Sequence, residues 1–211
     1  MLERRSMLGL TIAGLAGLGF PGGLGAESRN GPAADAWLEA IASRKHRAFL
    51  DIRSFDPSGT PFRKATNLLT ALTEAHGAVE REVGIAFGAG SSSIAHVLGP
   101  KVWAEYGVGA KVASYARSPA EAESLRTEPA KWSALGATGV ATMRDHGMRV
   151  LACRNSIHRW ATEFAAETGE SADAVNAKLI AGLHAGVEPV PAMIAAAVLA
   201  QSRQLSYVAI G

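Results

Sequence analysis

The pattern of apolar and polar residues divides the chain beyond residue 34 into alternating strand-like and helix-like segments. Short apolar runs bounded by turn residues are typical of strands buried in a parallel sheet. Such runs lie at 46–52, 83–87, 148–153, 187–190 and 205–210. Between them, apolar residues recur at the spacing of amphipathic helices. The sequence therefore predicts an α/β fold of three layers, in which a mostly parallel five-stranded sheet carries helices on both faces.

The predicted helices are bounded by turn and capping residues. They cover 35–44, 61–77, a short segment around Ile94, 137–146, a segment capped by Asn155 or Ser156 that ends near Gly169, 171–180 and 191–204. Gly147 is expected to end one of them with a positive φ angle. Between residues 100 and 135, Gly, Ser, Pro and charged residues interrupt any regular spacing. Only short helical pieces are predicted in this extended segment.

The first 34 residues have the composition of an export signal followed by a flexible linker. Arg4 and Arg5 precede an uncharged apolar stretch and then a cluster of small residues. This layout is typical of a secretory signal peptide, and the stretch is too short and glycine-rich for a stable membrane span. The paired arginines resemble the twin-arginine class, although Glu3 stands where Ser or Thr is usual. The sequence predicts periplasmic localisation, no membrane contact after cleavage, and one domain over 35–211. An ordinary secretory signal is the alternative.

Charge and composition exclude several classes of function. The formal net charge of +2 at pH 7 gives no reason to expect nucleic acid as a partner. The six histidines show no ligand spacing, so neither a metal nor a cofactor is predicted. No Gly-x-Ser-x-Gly segment occurs, which argues against a hydrolase nucleophile. The single cysteine, Cys153, cannot form an internal disulfide, so it is an inert buried residue, an intermolecular bridge or a reactive thiol.

Several short segments of the chain, taken together, form a recognisable pattern. They are Ala152-Cys153-Arg154-Asn155-Ser156, Val187-Glu188-Pro189-Val190-Pro191, the Ala-rich helix reaching Gln201, the final Tyr207-Val208-Ala209-Ile210, the Asn67-Leu68-Leu69 helix and the strand at 83–88. This pattern resembles the DsrE/DsrF-like (YchN-like) family of small sulfur-handling proteins. The resemblance covers residues 46–210, but the segment 100–141 is longer than the family core needs. It implies that Cys153 carries a persulfide. It also implies a homo-oligomer and a sulfur-donor or sulfur-acceptor protein as partner.

Cys153 is the strongest candidate for chemistry. In an open parallel sheet, ligands collect outside the carboxyl ends of the strands, and Cys153 is predicted at such an end. The helix that follows, with Arg154 and Asn155 at its start, would favour an ionised thiol, which is the nucleophilic form. Cysteine is also among the residues most often buried, so inert packing is the alternative.

A glycine-containing turn is the second candidate. Gly88, Gly90 and Ser91 lead from a strand into a helix, and such a turn can bind an anion through backbone N–H groups. A plain tight turn with a capping serine is the alternative. Three functions follow: a sulfur carrier or sulfurtransferase that uses Cys153, a non-enzymatic protein that binds a small ligand, and an oligomeric assembly protein with an inert cysteine.

Overall fold

Five short apolar segments form one sheet in which every pairing is parallel. The computed structural model describes residues 36–210, so the predicted signal peptide and linker at 1–34 lie outside the described part. The strands are β1 (His46–Ile52), β2 (Val83–Ala89), β3 (Arg149–Cys153), β4 (Val187–Val190) and β5 (Ser206–Ile210). They are arranged in the order β4-β3-β2-β1-β5. The predicted three-layer α/β fold is confirmed.

Helices cover both faces of the sheet. They are α1 (Ala36–Ala42), α2 (Thr60–Thr70), α3 (Pro100–Glu105), α4 (Val108–Val112), α5 (Pro119–Thr127), α6 (Pro129–Asp145), α7 (Arg154–Thr168), α8 (Ala172–Ala181) and α9 (Met193–Ser202). Helices α2 to α8 contribute to a larger core on one face, and α1 and α9 contribute to a smaller core on the other. Because the side chains of a strand alternate between faces, Ala152 faces the larger core and Cys153 faces the smaller one.

Three local predictions differ from the structure. The segment around Ile94 is a 3₁₀ helix over Ser91–Val97 rather than an α-helix. Helix α6 begins at Pro129, several residues before the predicted start. Helix α7 begins at Arg154, so its N-cap is Cys153 and not Asn155 or Ser156. The predicted end of α6 is confirmed, since Gly147 has a φ of +69°.

Glycine inside α6 explains why its length was underestimated. Glycine lowers helix propensity and so weakens a prediction made from local sequence. At Gly136, in the part of α6 that was not predicted, a Cβ would collide with the backbone oxygen of His96. The close packing of α6 against the 3₁₀ helix that contains His96 therefore requires a residue without a side chain. Tertiary packing, which short-range sequence does not report, compensates for the poor local propensity.

Candidate functional site

Cys153 is the last residue of β3, and its sulfur faces the smaller core. The residue is 6 % exposed and packs in a cluster that includes Phe49, Leu151, Val190 and Met193. As the N-cap of α7, it lies where the partial positive charge of a 15-residue helix is concentrated. The structure thus places the cysteine at the predicted carboxyl edge of the sheet but beneath neighbouring side chains.

Met193 is the neighbour that defines the surroundings of the thiol. Its backbone N–H donates a hydrogen bond to Cys153 Sγ, with a nitrogen–sulfur distance of 3.4 Å. A Cβ placed on Gly90 would lie 3.5 Å from Met193 Cβ and 3.7 Å from Cys153 Cβ. A Cβ on Gly88 would collide with the Met193 thioether. The two glycines of β2 and its following turn therefore provide the space that Met193 fills beside the cysteine.

The glycine turn is held by hydrogen bonds within the protein. The N–H of Gly90 donates to Ile52 O and to Ser93 Oγ, at 3.2 Å and 2.9 Å. The N–H of Ser91 donates to Ser156 Oγ at 2.8 Å, which ties the turn to the first turn of α7. These N–H groups already have acceptors, so the geometry favours a structural role for the turn. Ser91 has a φ of +52°, a conformation uncommon outside glycine.

The remaining predicted site residues lie at the surface. Arg154 and Asn155 form the start of α7 and are both exposed. His158, one turn further along the helix, is exposed as well. Gly88 belongs to the buried strand β2 rather than to the turn. Cys153, Gly90 and Ser91 are therefore close in space, whereas the charged and polar side chains that follow them face solvent.

A polar cluster on the α9 face was not predicted from the sequence. The Tyr207 hydroxyl donates to Asp51 Oδ2 at 2.6 Å and accepts from Arg53 Nη2 at 2.7 Å. Arg53 Nε also donates to Asp51 Oδ2 at 3.0 Å. The hydrogen bond to Asp51 is the main cause that raises the pKa of Tyr207 above its usual value, and burial adds to it. The spacing of Asp51 and Arg53 is visible in the sequence, but their proximity to Tyr207 depends on the pairing of β1 with β5.

This cluster borders a pocket of about 390 Å³ that Met193 also lines. Ile194 and Val198 of α9 form part of its apolar wall. Met193 therefore both donates its backbone N–H to the cysteine sulfur and lines this pocket.

His96 is a second buried polar residue that the sequence did not single out. Its Nε2 accepts a hydrogen bond from the N–H of Asp56 at 3.2 Å, and its ring stacks on Phe55 with centroids 4.6 Å apart. Burial lowers the pKa of His96 to about 4, and the nearby Asp56 carboxylate only partly opposes this effect. The imidazole is therefore neutral near pH 7 and serves as an acceptor within the core.

Residues 36–210 contain no cluster of metal ligands and no membrane-spanning helix. No group of three or more His, Cys, Asp or Glu side chains in this range could hold a metal ion. None of the helices in the described part of the chain is both long and apolar enough to cross a membrane.

Comparisons with known proteins provide little information on function. No family model matches the chain, and no curated protein matches it. Among solved structures, the chain is similar to the protein of unknown function MTH1491 from Methanobacterium thermoautotrophicum. The two share 16 % identity over 78 % of this chain and 99 % of that one, with a TM-score of 0.40. Function is therefore inferred from the geometry of this chain itself.

Proposed function

We propose that this protein is an exported, periplasmic sulfur carrier or sulfurtransferase that holds sulfane sulfur on Cys153. In the transfer step, the Cys153 thiolate attacks the terminal sulfur of a donor persulfide. A new sulfur–sulfur bond forms on Cys153, the donor's sulfur–sulfur bond breaks, and the donor leaves as a thiol. The reaction needs no external oxidant, because sulfane sulfur keeps its oxidation state as it moves between two thiols.

The observation that supports this proposal is the position of the sulfur atom. Cys153 is the N-cap residue of α7, and its Sγ accepts the Met193 N–H at 3.4 Å. A helix N-terminus and a backbone N–H both interact favourably with an anionic group, whether thiolate or persulfide. A carrier must stabilise the same negative charge before and after it accepts sulfur, and this arrangement suits both states.

Burial protects the sulfur but also limits access to it. A periplasmic thiol without a second cysteine in the chain is prone to irreversible oxidation if it is freely exposed. At 6 % exposure, Cys153 is shielded, and a donor reaches it only after a neighbouring side chain moves. We propose that Met193 is this side chain, and that the partner is a sulfur-donor or sulfur-acceptor protein. No cofactor is required by this chemistry.

Mass spectrometry of the intact protein tests the proposal. After incubation with inorganic polysulfide at neutral pH and removal of excess reagent, we expect an added mass of about 32 Da, which corresponds to one sulfur atom on the thiol. Treatment with a phosphine or dithiothreitol should remove the added mass. The matched control is Cys153→Ser, which preserves the size of the side chain and should gain no mass.

The burial of Cys153 in an apolar cluster also favours a second candidate function. In this alternative, the cysteine is inert, and the protein is a non-enzymatic ligand-binding or oligomeric assembly protein of the same fold. The two candidates give opposite results in one further measurement. A carrier's thiol reacts with iodoacetamide in the folded protein, whereas an inert one reacts only as fast as the protein unfolds. The second outcome would exclude sulfur transfer by Cys153.

A further inference from the structure

The two edges of the sheet differ in how they are protected from pairing with another strand. At the β4 edge, Pro189 lacks the N–H that a neighbouring strand would need, and Glu188 pairs with Arg149 at 3.1 Å. Prolines and charged side chains are the usual means of blocking an exposed edge. At the other edge, β5 has five residues and contains neither proline nor charge. Within residues 36–210, β5 pairs only with β1.

Apolar side chains are exposed on both sides of this unprotected edge. Val208 of β5 is 43 % exposed and borders a pocket of about 310 Å³ on the α2 face. On the opposite face, Ile194 and Val198 of α9 are 79 % and 61 % exposed, beside the pocket that contains Tyr207. Helix α9 is apolar on almost every side, and such helices are normally covered all round. The uncovered surface thus continues from α9 across the edge of β5.

Charge indicates which partner fits this surface. Between residues 189 and 210, Arg203 is the only charged residue, and its Nη2 lies 2.5 Å from Glu39 Oε1. Two copies can therefore bring this surface together without placing like charges opposite each other. The charged side chains that line the two neighbouring pockets also have partners: Arg53 pairs with Asp51, Lys45 with Glu82, and Arg47 donates to the Ala42 carbonyl. A two-fold interface brings a patch against its own copy, so a patch with few charges avoids like-charge repulsion.

We infer that the edge of β5 and the outer face of α9 form a two-fold interface between copies of this chain. In this interface, β5 pairs antiparallel with β5 of the second copy, and the two-fold axis passes through Val208, the middle residue of the strand. All five residues of each β5 then have a partner, and the two sheets join into one sheet of ten strands. The α9 faces of the two copies lie on the same side of this joined sheet. The two α9 helices then lie side by side and cover Ile194 and Val198. The inference does not depend on the chemistry of Cys153.

Sedimentation velocity of the full-length chain tests this interface. The wild type should sediment with twice the 21.9 kDa mass of one chain. The substitution Val208→Lys places a charge on the axis and should give a monomer at the same concentration. The matched control is Val79→Lys, because Val79 is 44 % exposed and lies outside the proposed surface. This variant should remain dimeric.

A crosslinking variant locates the interface independently of the charge variant. In a Cys153→Ser background, Val208→Cys should form an intermolecular disulfide on mild oxidation, because residues on the two-fold axis of such a pairing lie within disulfide distance. Val79→Cys in the same background should not. A monomeric wild type, a dimeric Val208→Lys variant, or equal crosslinking of the two cysteine variants would each overturn the inference.

Discussion

Replacing His96 by glutamine should remove a defined part of the pH dependence of stability. His96 is buried against Phe55 and Phe62, and its Nε2 accepts the Asp56 N–H. The Oε1 atom of glutamine can occupy a similar position and accept the same hydrogen bond, but glutamine does not titrate. The substitution His96→Gln therefore separates the proton equilibrium of the imidazole from its structural role as an acceptor.

The magnitude follows from the pKa of His96, which burial lowers from 6.5 to about 4 in the folded protein. As the pH falls below 6.5, His96 binds a proton in the unfolded chain but stays neutral in the folded protein. The free energy of unfolding therefore decreases. The full difference in pKa corresponds to about 3 kcal/mol, lost between roughly pH 6.5 and pH 4. Between pH 7.5 and pH 5, the expected loss is about 2 kcal/mol.

Urea unfolding at a series of pH values measures this effect. Burial also lowers the pKa of His184, so the wild-type curve alone contains more than one contribution. The difference between wild type and His96→Gln isolates the contribution of His96. The matched control is His158→Gln, since His158 is exposed and its replacement should leave the slope unchanged. Parallel curves for wild type and His96→Gln from pH 7.5 to pH 5 would refute this explanation of the histidine's role.

Two further substitutions test the packing around the site and in the extended segment. Met193→Ala should increase the alkylation rate of Cys153 about tenfold, as expected if exposing the thiol becomes about 1.4 kcal/mol easier. Met193→Leu preserves the bulk of the side chain and should leave the alkylation rate unchanged. Equal alkylation rates for wild type and Met193→Ala would exclude Met193 as the side chain that covers the thiol. Gly109→Ala should cost about 3 kcal/mol and lower the urea midpoint, because its Cβ would collide with the Leu125 carbonyl. An unchanged midpoint would show that α4 and α5 separate easily.

The fold was largely predictable because strand signals in this chain are local. The run His46–Ile52 was predicted with the bounds that β1 has. Val83–Phe87 was predicted to be buried on both faces, and every residue of β2 is buried. Continuous apolar runs separated by turn residues leave few alternatives for an α/β chain. The segment 100–135 was less predictable, in part because Gly109 serves a close contact of α4 with the Leu125 carbonyl of α5 rather than a local turn.

The site was only partly predictable, for a related reason. The position of Cys153 at the end of a strand follows from local sequence, but its burial does not. Burial results in part from Met193, which lies 40 residues later and reaches the sulfur because β4, just before it in the chain, pairs with β3. The cluster of Asp51, Arg53 and Tyr207 likewise depends on the pairing of the first strand with the last one. Contacts between such distant segments leave no periodic signal in a single sequence.

The strand order has a consequence for how the protein is made. Strands β1 to β4 are added in sequence toward one side of the sheet, whereas β5 returns to the opposite side and pairs with β1. During synthesis, β1 therefore lacks its second neighbour until residues 206–210 have left the ribosome. A nascent chain without β5 exposes the backbone of β1 to pairing with other molecules. Chaperone binding and aggregation should accordingly be most sensitive to changes in β5.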